Sequence, residues 1–393
     1  MAELKFGVVG LGIASTQILP AFAELEGVSV TAACDIREEG LLKFKSEYGG
    51  NTYTSLEDMC KDPNVDAVYI CSPNHLHAEQ VIMAAEHGKQ VIVEKPMGLT
   101  LEECEAMNQA AERNAVRLLC GHTHSFDPPV RKMRELVVSG DYGPLRMVNT
   151  WHYNEFMYRP RMPHELNEEL GGNVVFNQGP HQVDIIRLIG GGMVRSVRAM
   201  TGNWDPSRNT IGAYTVYLEF ENGTPATLVY NGYGHFDTAE LSWWAGEGPR
   251  DEDYNLRIRE AAAGFDNPQL EWDAKEAQRY GGGAERPHRT RDGRPHQFFG
   301  LTVVSLEEAD IRQTLDGLMV YGDQGREEIL VDKAQGSGRA AELSEMYDAV
   351  VADRPVFHDG RWGMATLEVV LAIMQSADER RELMMEHQVP SPE

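Results

Sequence analysis

The chain has 393 residues, with 36 Lys plus Arg against 61 Asp plus Glu, giving a formal net charge of -25. That length suits two domains, each able to bury a core, and the acidic field repels nucleic acid and anionic membrane surfaces, so neither is expected as a partner. It also opposes anionic ligands, so a pyrophosphate or a carboxylated small-molecule substrate has to be met by donors placed locally.

Residues 1–124 alternate short apolar runs with amphipathic stretches, the pattern of a parallel sheet with crossover helices. Nothing from Met1 to Val9 reads as a signal peptide and no segment approaches about 18 uninterrupted apolar residues, so a cytoplasmic protein is expected. Strands are predicted at Lys5–Val9, Val28–Cys34, Ala67–Cys71, Gln90–Val93 and Val116–Cys120. Helices are predicted at Ala14–Leu25, Glu38–Tyr48, Ala78–Glu86 and Leu101–Asn114, the last opened by Thr100 and Glu103 as a capping box. Cys34, Cys60, Cys71, Cys104 and Cys120 form no Cys-x-x-Cys pair and read as buried thiols.

The rhythm changes over residues 125–393, which are assigned to a second domain. A helix through Asp141 leads into a long strand, Leu145–Tyr153. Tyr214–Phe220 alternates in period two, Asn222-Gly223 supplies a hairpin turn, and Ala226–Tyr233 returns. Strands at Leu301–Leu306, Leu318–Tyr321 and Glu327–Val331 extend the same open, mainly antiparallel sheet. Helices at Ala340–Ala352 and Met364–Met385 finish the chain. The stretch Gly246–Pro295, with Gly281-Gly282-Gly283 and Arg286, Arg289, Arg291 and Arg294, reads as an excursion from the sheet, either a solvated loop or a lid or subunit contact.

Gly10-Leu11-Gly12-Ile13-Ala14-Ser15 follows a strand and opens a helix, the context a bare glycine pattern lacks. Gly10 permits the tight turn, Gly12 lets backbone approach a pyrophosphate, and Ile13 and Ala14 begin a helix whose N–H groups face the anion. Ser15 stands where a third glycine is usual. Asp35, ending the second strand, suits the ribose hydroxyls of NAD, whereas Arg37 suits the 2'-phosphate of NADP, so both cofactors remain open. Ser72, Pro73, Asn74 and His77 follow the next strand and would line the nicotinamide half, unless they form a plain turn. Val93-Glu94-Lys95-Pro96 ends an apolar strand in two charges and a proline, pointing Lys95 into the crevice where such sheets bind ligands.

These features, with Gly171-Gly172-Asn173-Val174-Val175-Phe176-Asn177-Gln178-Gly179-Pro180-His181-Gln182-Val183-Asp184, resemble the glucose-fructose oxidoreductase and inositol dehydrogenase (Gfo/Idh/MocA) family. The resemblance spans nearly the whole chain. It implies an α/β protein with an N-terminal Rossmann domain and a C-terminal α/β domain on an open, mainly antiparallel sheet. It further implies an NAD(P)-dependent oxidoreductase with Glu94 and Lys95 beside the nicotinamide and His181 as catalytic acid or base. Read locally, Gly179-Pro180 suits a helix start, which would put His181 in a first turn and keep its imidazole neutral, with Asp184 placed to orient it; a simple capping role is the alternative. The family's aspartate is Asn177 here, an amide that can bond a substrate hydroxyl but cannot relay a proton.

Tyr158-Arg159-Pro160-Arg161, His122-Thr123-His124 and the segment around His181 resemble, more narrowly, the subgroup acting on phthalate 4,5-cis-dihydrodiols. That implies oxidation of one carbinol of a carboxylated cyclohexadiene cis-diol, with His124, Tyr158, Arg159, Arg161 and Asn177 as substrate contacts and the two arginines as cations for its carboxylates. The arginines could equally hold their loop through Glu155 and Glu165. A sugar or cyclitol dehydrogenase, a transient-oxidation glycosidase or lyase, and a non-enzymatic NAD(H) sensor are the alternatives. No metal site is expected, since no carboxylate or thiolate completes the His-x-His pairs. The open sheet predicts a homo-oligomer, dimer or tetramer, through its exposed face.

Overall fold

The computed structural model describes residues 3–246, 248–265, 267–284, 296, 298–332 and 338–391. The chain divides into two compact units, one of Met1–His122, Trp272–Thr290 and Gly336–Leu367 and the other of Thr123–Glu271, Arg291–Gln335 and Glu368–Glu393.

In the first unit, strands β1 (Leu4–Val9), β2 (Val28–Cys34), β3 (Asn51–Tyr53), β4 (Ala67–Ile70), β5 (Gln90–Glu94) and β6 (Leu118–Gly121) form one sheet in the order β3-β2-β1-β4-β5-β6. All its pairs are parallel. A parallel sheet is covered on both faces, which is why β4 reads as four consecutive buried residues. The crossover elements are α1 (Ser15–Ala21), α2 (Glu38–Tyr48), α3 (Leu56–Cys60), α4 (His77–Glu86) and α5 (Leu101–Arg113). α1 is shorter than the predicted Ala14–Leu25: Pro20 lies inside it and the chain continues as a 3-10 turn, Phe22–Glu24. The capping box of α5 forms as predicted, with Glu103 N–H donating to Thr100 Oγ1 at 3.1 Å and Thr100 N–H to Glu103 Oε2 at 3.4 Å.

Residues 125–393 do not form one body, as a single break after residue 124 required. Two later segments rejoin the first unit. Ala340, Leu343 and Met346 of a later helix sit in the same buried cluster as Leu4, Phe6, Leu19 and Phe22. Burying a side chain the size of Leu343 or Met346 contributes about 1.5–3 kcal/mol toward holding this distant segment against the sheet.

The second unit holds α6 (Pro128–Ser139), β7 (Leu145–Tyr153), α7 (Val174–Gly190), β8 (Val194–Gly202), β9 (Ala213–Phe220) and β10 (Pro225–Asn231). A two-residue pair, β11 (Ala245–Gly246) with β12 (Gly248–Pro249), and α8 (Tyr254–Ala263) follow. α9 (Pro268–Glu276) leads out of this unit, and β13 (Leu301–Leu306), β14 (Ala309–Gln313), β15 (Gly317–Gly322) and β16 (Gly325–Leu330) return to it. α10 (Gly338–Val351) is the helix that rejoins the first unit; α11 (Gly360–Glu379) and β17 (Leu383–Met384) end the chain. The sheet order is β16-β15-β14-β13-β7-β10-β9-β8-β17, and each pair is antiparallel except β7 with β10. Strands alternate, with Val148, Thr150 and His152 of β7 buried while Met147 and Trp151 are exposed. The last helix stops at Glu379, not Met385: Arg380 adopts a positive φ of 55° and Leu383–Met384 pairs with β8. β8 and β14 were not among the predicted strands, and the Gly246–Pro295 excursion contains two helices. Arg286, Arg289, Arg291 and Arg294 lie outside the described residues.

Candidate active site

Gly10, Asp35 and Lys95 directly follow β1, β2 and β5, and Ser72 is the second residue after β4, so the carboxyl ends of these parallel strands gather four of the predicted positions. Gly10 has φ +86°, and a Cβ there would stand 2.9 Å from the Ser72 backbone. A Cβ on Gly12 would meet nothing within 4 Å, so glycine leaves open space over the turn, as a pyrophosphate cradle requires. Ser15, in place of a third glycine, is fully buried and its hydroxyl donates to Gly12 O at 2.8 Å. Ile13 and Ala14 close the turn through carbonyls that accept from Thr16 and from Gln17 and Ile18. The residues present therefore fit a dinucleotide.

Asp35 Oδ2 accepts from Leu11 N–H at 2.5 Å and Oδ1 from Arg37 N–H at 2.7 Å. The Arg37 side chain folds back on this pair. Its Nε lies 3.4 Å from Asp35 Oδ1, its Nη2 donates to Leu11 O, and both Nη atoms lie 3.4 Å from Tyr280 O.

Pro73 and Asn74 follow Ser72 into a 3-10 turn at Asn74–Leu76, and Ser72 Oγ meets Gln80 Oε1 at 2.6 Å. His77 is fully buried, its Nε2 3.0 Å from Ser72 O and its Nδ1 3.0 Å from Pro96 O. Burial lowers its pKa against the pull of these two carbonyls. His77 was expected to touch the cofactor; its ring instead ties the loop after β4 to the loop after β5, a positioning task. Glu94 is also buried, ion-paired with Arg339 and 3.4 Å from the Tyr69 hydroxyl, while the Lys95-Pro96 peptide is cis and Lys95 is part-exposed.

In the second unit, His181 does not open a helix. α7 begins at Val174, where Asn173 caps it by accepting from Phe176 N–H at 2.9 Å, and Pro180 lies inside. Asparagine with a side-chain acceptor outcompetes Gly-Pro as a start signal, and the helix runs on through the proline. His181 therefore has no helix N-terminus beside it to disfavour its charged form. Asn177, in the first turn, donates from Nδ2 to Asn173 O at 3.0 Å. His181 and Asp184 stand three residues apart in the helix middle, both buried.

Aromatic rings surround His181. His124 packs edge-on at 4.7 Å between centroids and Phe299 at 4.8 Å; Phe299 also meets His124 at 4.9 Å and His152 at 4.5 Å. His124 Nδ1 lies 2.9 Å from Asp127 Oδ2. Beneath, Gln182 Oε1 accepts from Tyr214 at 2.7 Å, and Asn154 Nδ2 donates to the Tyr230 hydroxyl at 2.9 Å. Phe299, His152 and Asp127 escaped the sequence reading. Phe299 lies more than a hundred positions from His181, and only the sheet pairing of β13 with β7 brings it near.

The arginine loop is held by the carboxylates suspected of it. Arg159 Nε lies 2.6 Å from Glu155 Oε1, with the Arg159 side chain 32% exposed. Arg161 is buried, 3.6 Å from Glu165, over the Phe156 ring and donating to Phe156 O at 2.8 Å. Burial lowers the Arg161 guanidinium to about 10. Glu155 is fully buried; burial would raise it, but Arg159 and Arg250 hold its carboxyl at about 2. Tyr158 sits under Arg259, 4.2 Å from ring centroid to guanidinium carbon. Among the described residues, no group of three His, Cys, Asp or Glu side chains is arranged to hold a metal, and no helix is long and apolar enough to cross a membrane.

A doubly wound sheet with a glycine cradle, joined to a mixed-sheet unit carrying a buried histidine cluster, defines the class of two-domain nicotinamide-dependent oxidoreductases. Residues 4–122 match the oxidoreductase family's NAD-binding Rossmann fold and residues 130–243 the GFO/IDH/MocA C-terminal domain, and the chain belongs to this family. It is 37% identical over 379 residues, 95% of this chain and 94% of the relative, to 1-carboxy-3-chloro-3,4-dihydroxycyclohexa-1,5-diene dehydrogenase of Comamonas testosteroni. A solved protein from Bordetella bronchiseptica RB50, described as a provisionally assigned dehydrogenase, superposes with TM-score 0.90 at 36% identity, covering 98% of this chain and all of that one. The WlbA dehydrogenase of Bordetella pertussis, in complex with NADH and UDP-GlcNAcA, shares the fold at TM-score 0.70 and 19% identity, covering 98% of this chain and 99% of that one.

Proposed function

We propose that the chain oxidises one secondary carbinol of a carboxylated cyclohexadiene cis-diol, of the phthalate 4,5-cis-dihydrodiol type, to a ketone that tautomerises to a catechol. The observation carrying this is the full-length 37% identity to a dehydrogenase whose substrate name describes such a ring. The cluster of His124, His181, Phe299 and His152 supports it, since aromatic faces suit a flat, unsaturated ring better than a polyol.

When bound, NAD supplies the hydride acceptor. His181 would take the hydroxyl proton as general base while the carbinol carbon gives up its hydride. Lys95 stabilises negative charge developing on the oxygen. Asn177 accepts from the second hydroxyl through its amide oxygen. Arg159, partly exposed, answers the substrate carboxylate, while Arg161 holds the loop.

Purified protein is to be offered carboxylated cis-diols and neutral sugars or cyclitols, with NADH formation followed by absorbance. We expect kcat/KM for the carboxylated diols to be at least about a hundredfold higher. Turnover of neutral polyols alone would reassign the chain to sugar or cyclitol oxidation. Product formation without net NADH would mean transient oxidation.

The same reading includes a homo-oligomer in the cytoplasm, assembled through the open face of the second sheet. That face exposes Met147, Trp151, Met200, Tyr217 and Tyr321, more apolar surface than a lone sheet usually leaves in water. Light scattering giving a monomer mass at micromolar concentration would refute the assembly.

A further inference from the structure

The segment Ala277–Ala284, from the excursion that carries no assigned task, is folded onto the glycine turn of the first unit. Tyr280 N–H donates to Gly12 O at 3.3 Å. The Tyr280 ring is buried among Leu11, Leu41 and Phe44, its hydroxyl donates to Glu47 Oε2 at 2.5 Å, and Lys43 lies 4.8 Å above it. Gly281 has φ +83°, and a Cβ there would stand 3.0 Å from Gly40 Cα. The segment closes on itself through Ala284 N–H and Ala277 O at 2.9 Å. Backbone thus packs on backbone at the start of α2, next to Asp35 and Arg37.

Arg37 is the only cation among the predicted cofactor residues near the ribose-binding carboxylate, and its donors are committed. Nε faces Asp35, Nη2 donates to Leu11 O, and both Nη atoms face Tyr280 O, a carbonyl 243 positions away. A 2'-phosphate needs a guanidinium turned toward it, with bidentate, charge-assisted bonds. Here it would meet the Asp35 carboxylate, while Arg37 is engaged elsewhere.

We infer that the Tyr280 strap sets cofactor selectivity, holding Arg37 on backbone carbonyls so that the site takes the dinucleotide with an unphosphorylated ribose and rejects its 2'-phosphate counterpart. This rests on the NAD-binding fold and not on the proposed substrate. Tyr280 acts as a positioning residue, through Arg37.

The test is equilibrium binding of NAD and NADP to the full chain by calorimetry, with no turnover required. The wild type should bind NAD at least about tenfold more tightly than NADP. Gly281→Val, which forces the strap off Gly40, should narrow that preference at least about tenfold, chiefly by tightening NADP. Arg37→Ala added to Gly281→Val should abolish the gain, whereas Arg37→Ala alone should not weaken NADP. Equal affinities in the wild type, an unchanged ratio in folded Gly281→Val, or a gain that survives Arg37→Ala each overturns the inference. Should Gly281→Val not fold by circular dichroism, Tyr280→Phe, which cuts only the bond to Glu47, must shift the ratio a few-fold in the same direction; no shift there overturns it equally.

Discussion

His124 and His181 stand edge to face, ring centroids 4.7 Å apart and planes at 79°, and the far side of His124 is held by Asp127 at 2.9 Å. Asn177 removes the carboxylate that the family places before the Gly-x-His segment, yet this second imidazole brings one within the cluster. Asp127 therefore orients His124, and His124 packs against the proposed base.

From that arrangement a graded loss of turnover is expected. His181→Asn should lower kcat at least about a hundredfold, the usual scale for a general base. His124→Phe keeps the ring contacts with His181 and Phe299 but removes the polar nitrogens, and Asp127→Asn removes only the orienting charge. Both should lower kcat by about tenfold, His124→Phe the more, with NAD affinity measured by calorimetry unchanged in all three. Near-wild-type turnover in His181→Asn would dismiss it as the base; a larger loss in Asp127→Asn than in His124→Phe would mean that Asp127 acts elsewhere.

Glu155 predicts a pH dependence of stability. Burial opposes its charge, but Arg159 and Arg250 hold the folded carboxyl at about 2, well below the usual carboxylate range. A depressed acid stabilises the fold fully above the unfolded value and loses that contribution as pH falls from about 4.5 toward 2. The lowered pKa corresponds to stabilisation on the order of 3 kcal/mol at neutral pH. Glu155→Gln should therefore unfold at lower urea concentration than wild type at pH 7, and the gap should close progressively toward pH 2 to 3. A gap that stays constant with pH would show that the cost is packing and not charge.

What the sequence revealed was whatever repeats locally. The apolar run Val91–Val93 broken by Glu94-Lys95, the period-two β9 and the Thr100–Glu103 box each carry their structure within a few residues, and each formed. α7 was misread because two start signals compete within eight residues, and Asn173, not Gly179, supplies a capping acceptor. Phe299 beside His181 and Tyr280 beside Gly12 come from segments more than a hundred positions away, so no periodicity announces them. The return of α10 to the first unit was hidden similarly: Ala340, Leu343 and Met346 mark a buried helix face without saying which sheet covers it.

That return carries a charge as well as apolar surface. Arg339 on α10 reaches Glu94, donates to the Tyr69 hydroxyl at 2.9 Å and lies 3.3 Å from Glu342, while Tyr69 and Glu342 are themselves 2.5 Å apart. Burial alone would lower the Arg339 pKa, and Glu94, Tyr69 and Glu342 together raise it well above its usual value. Removing the guanidinium leaves two carboxylates facing each other in the core beside Lys95. Arg339→Met should therefore cost about 3–5 kcal/mol in urea denaturation, the scale for breaking one side of a buried ion pair. Adding Glu94→Gln and Glu342→Gln removes the stranded charges, and the triple variant should recover at least half of that loss. The recovery separates charge from packing: if the triple variant is as unstable as Arg339→Met, the cluster holds α10 by shape alone and the ion pairs contribute nothing net.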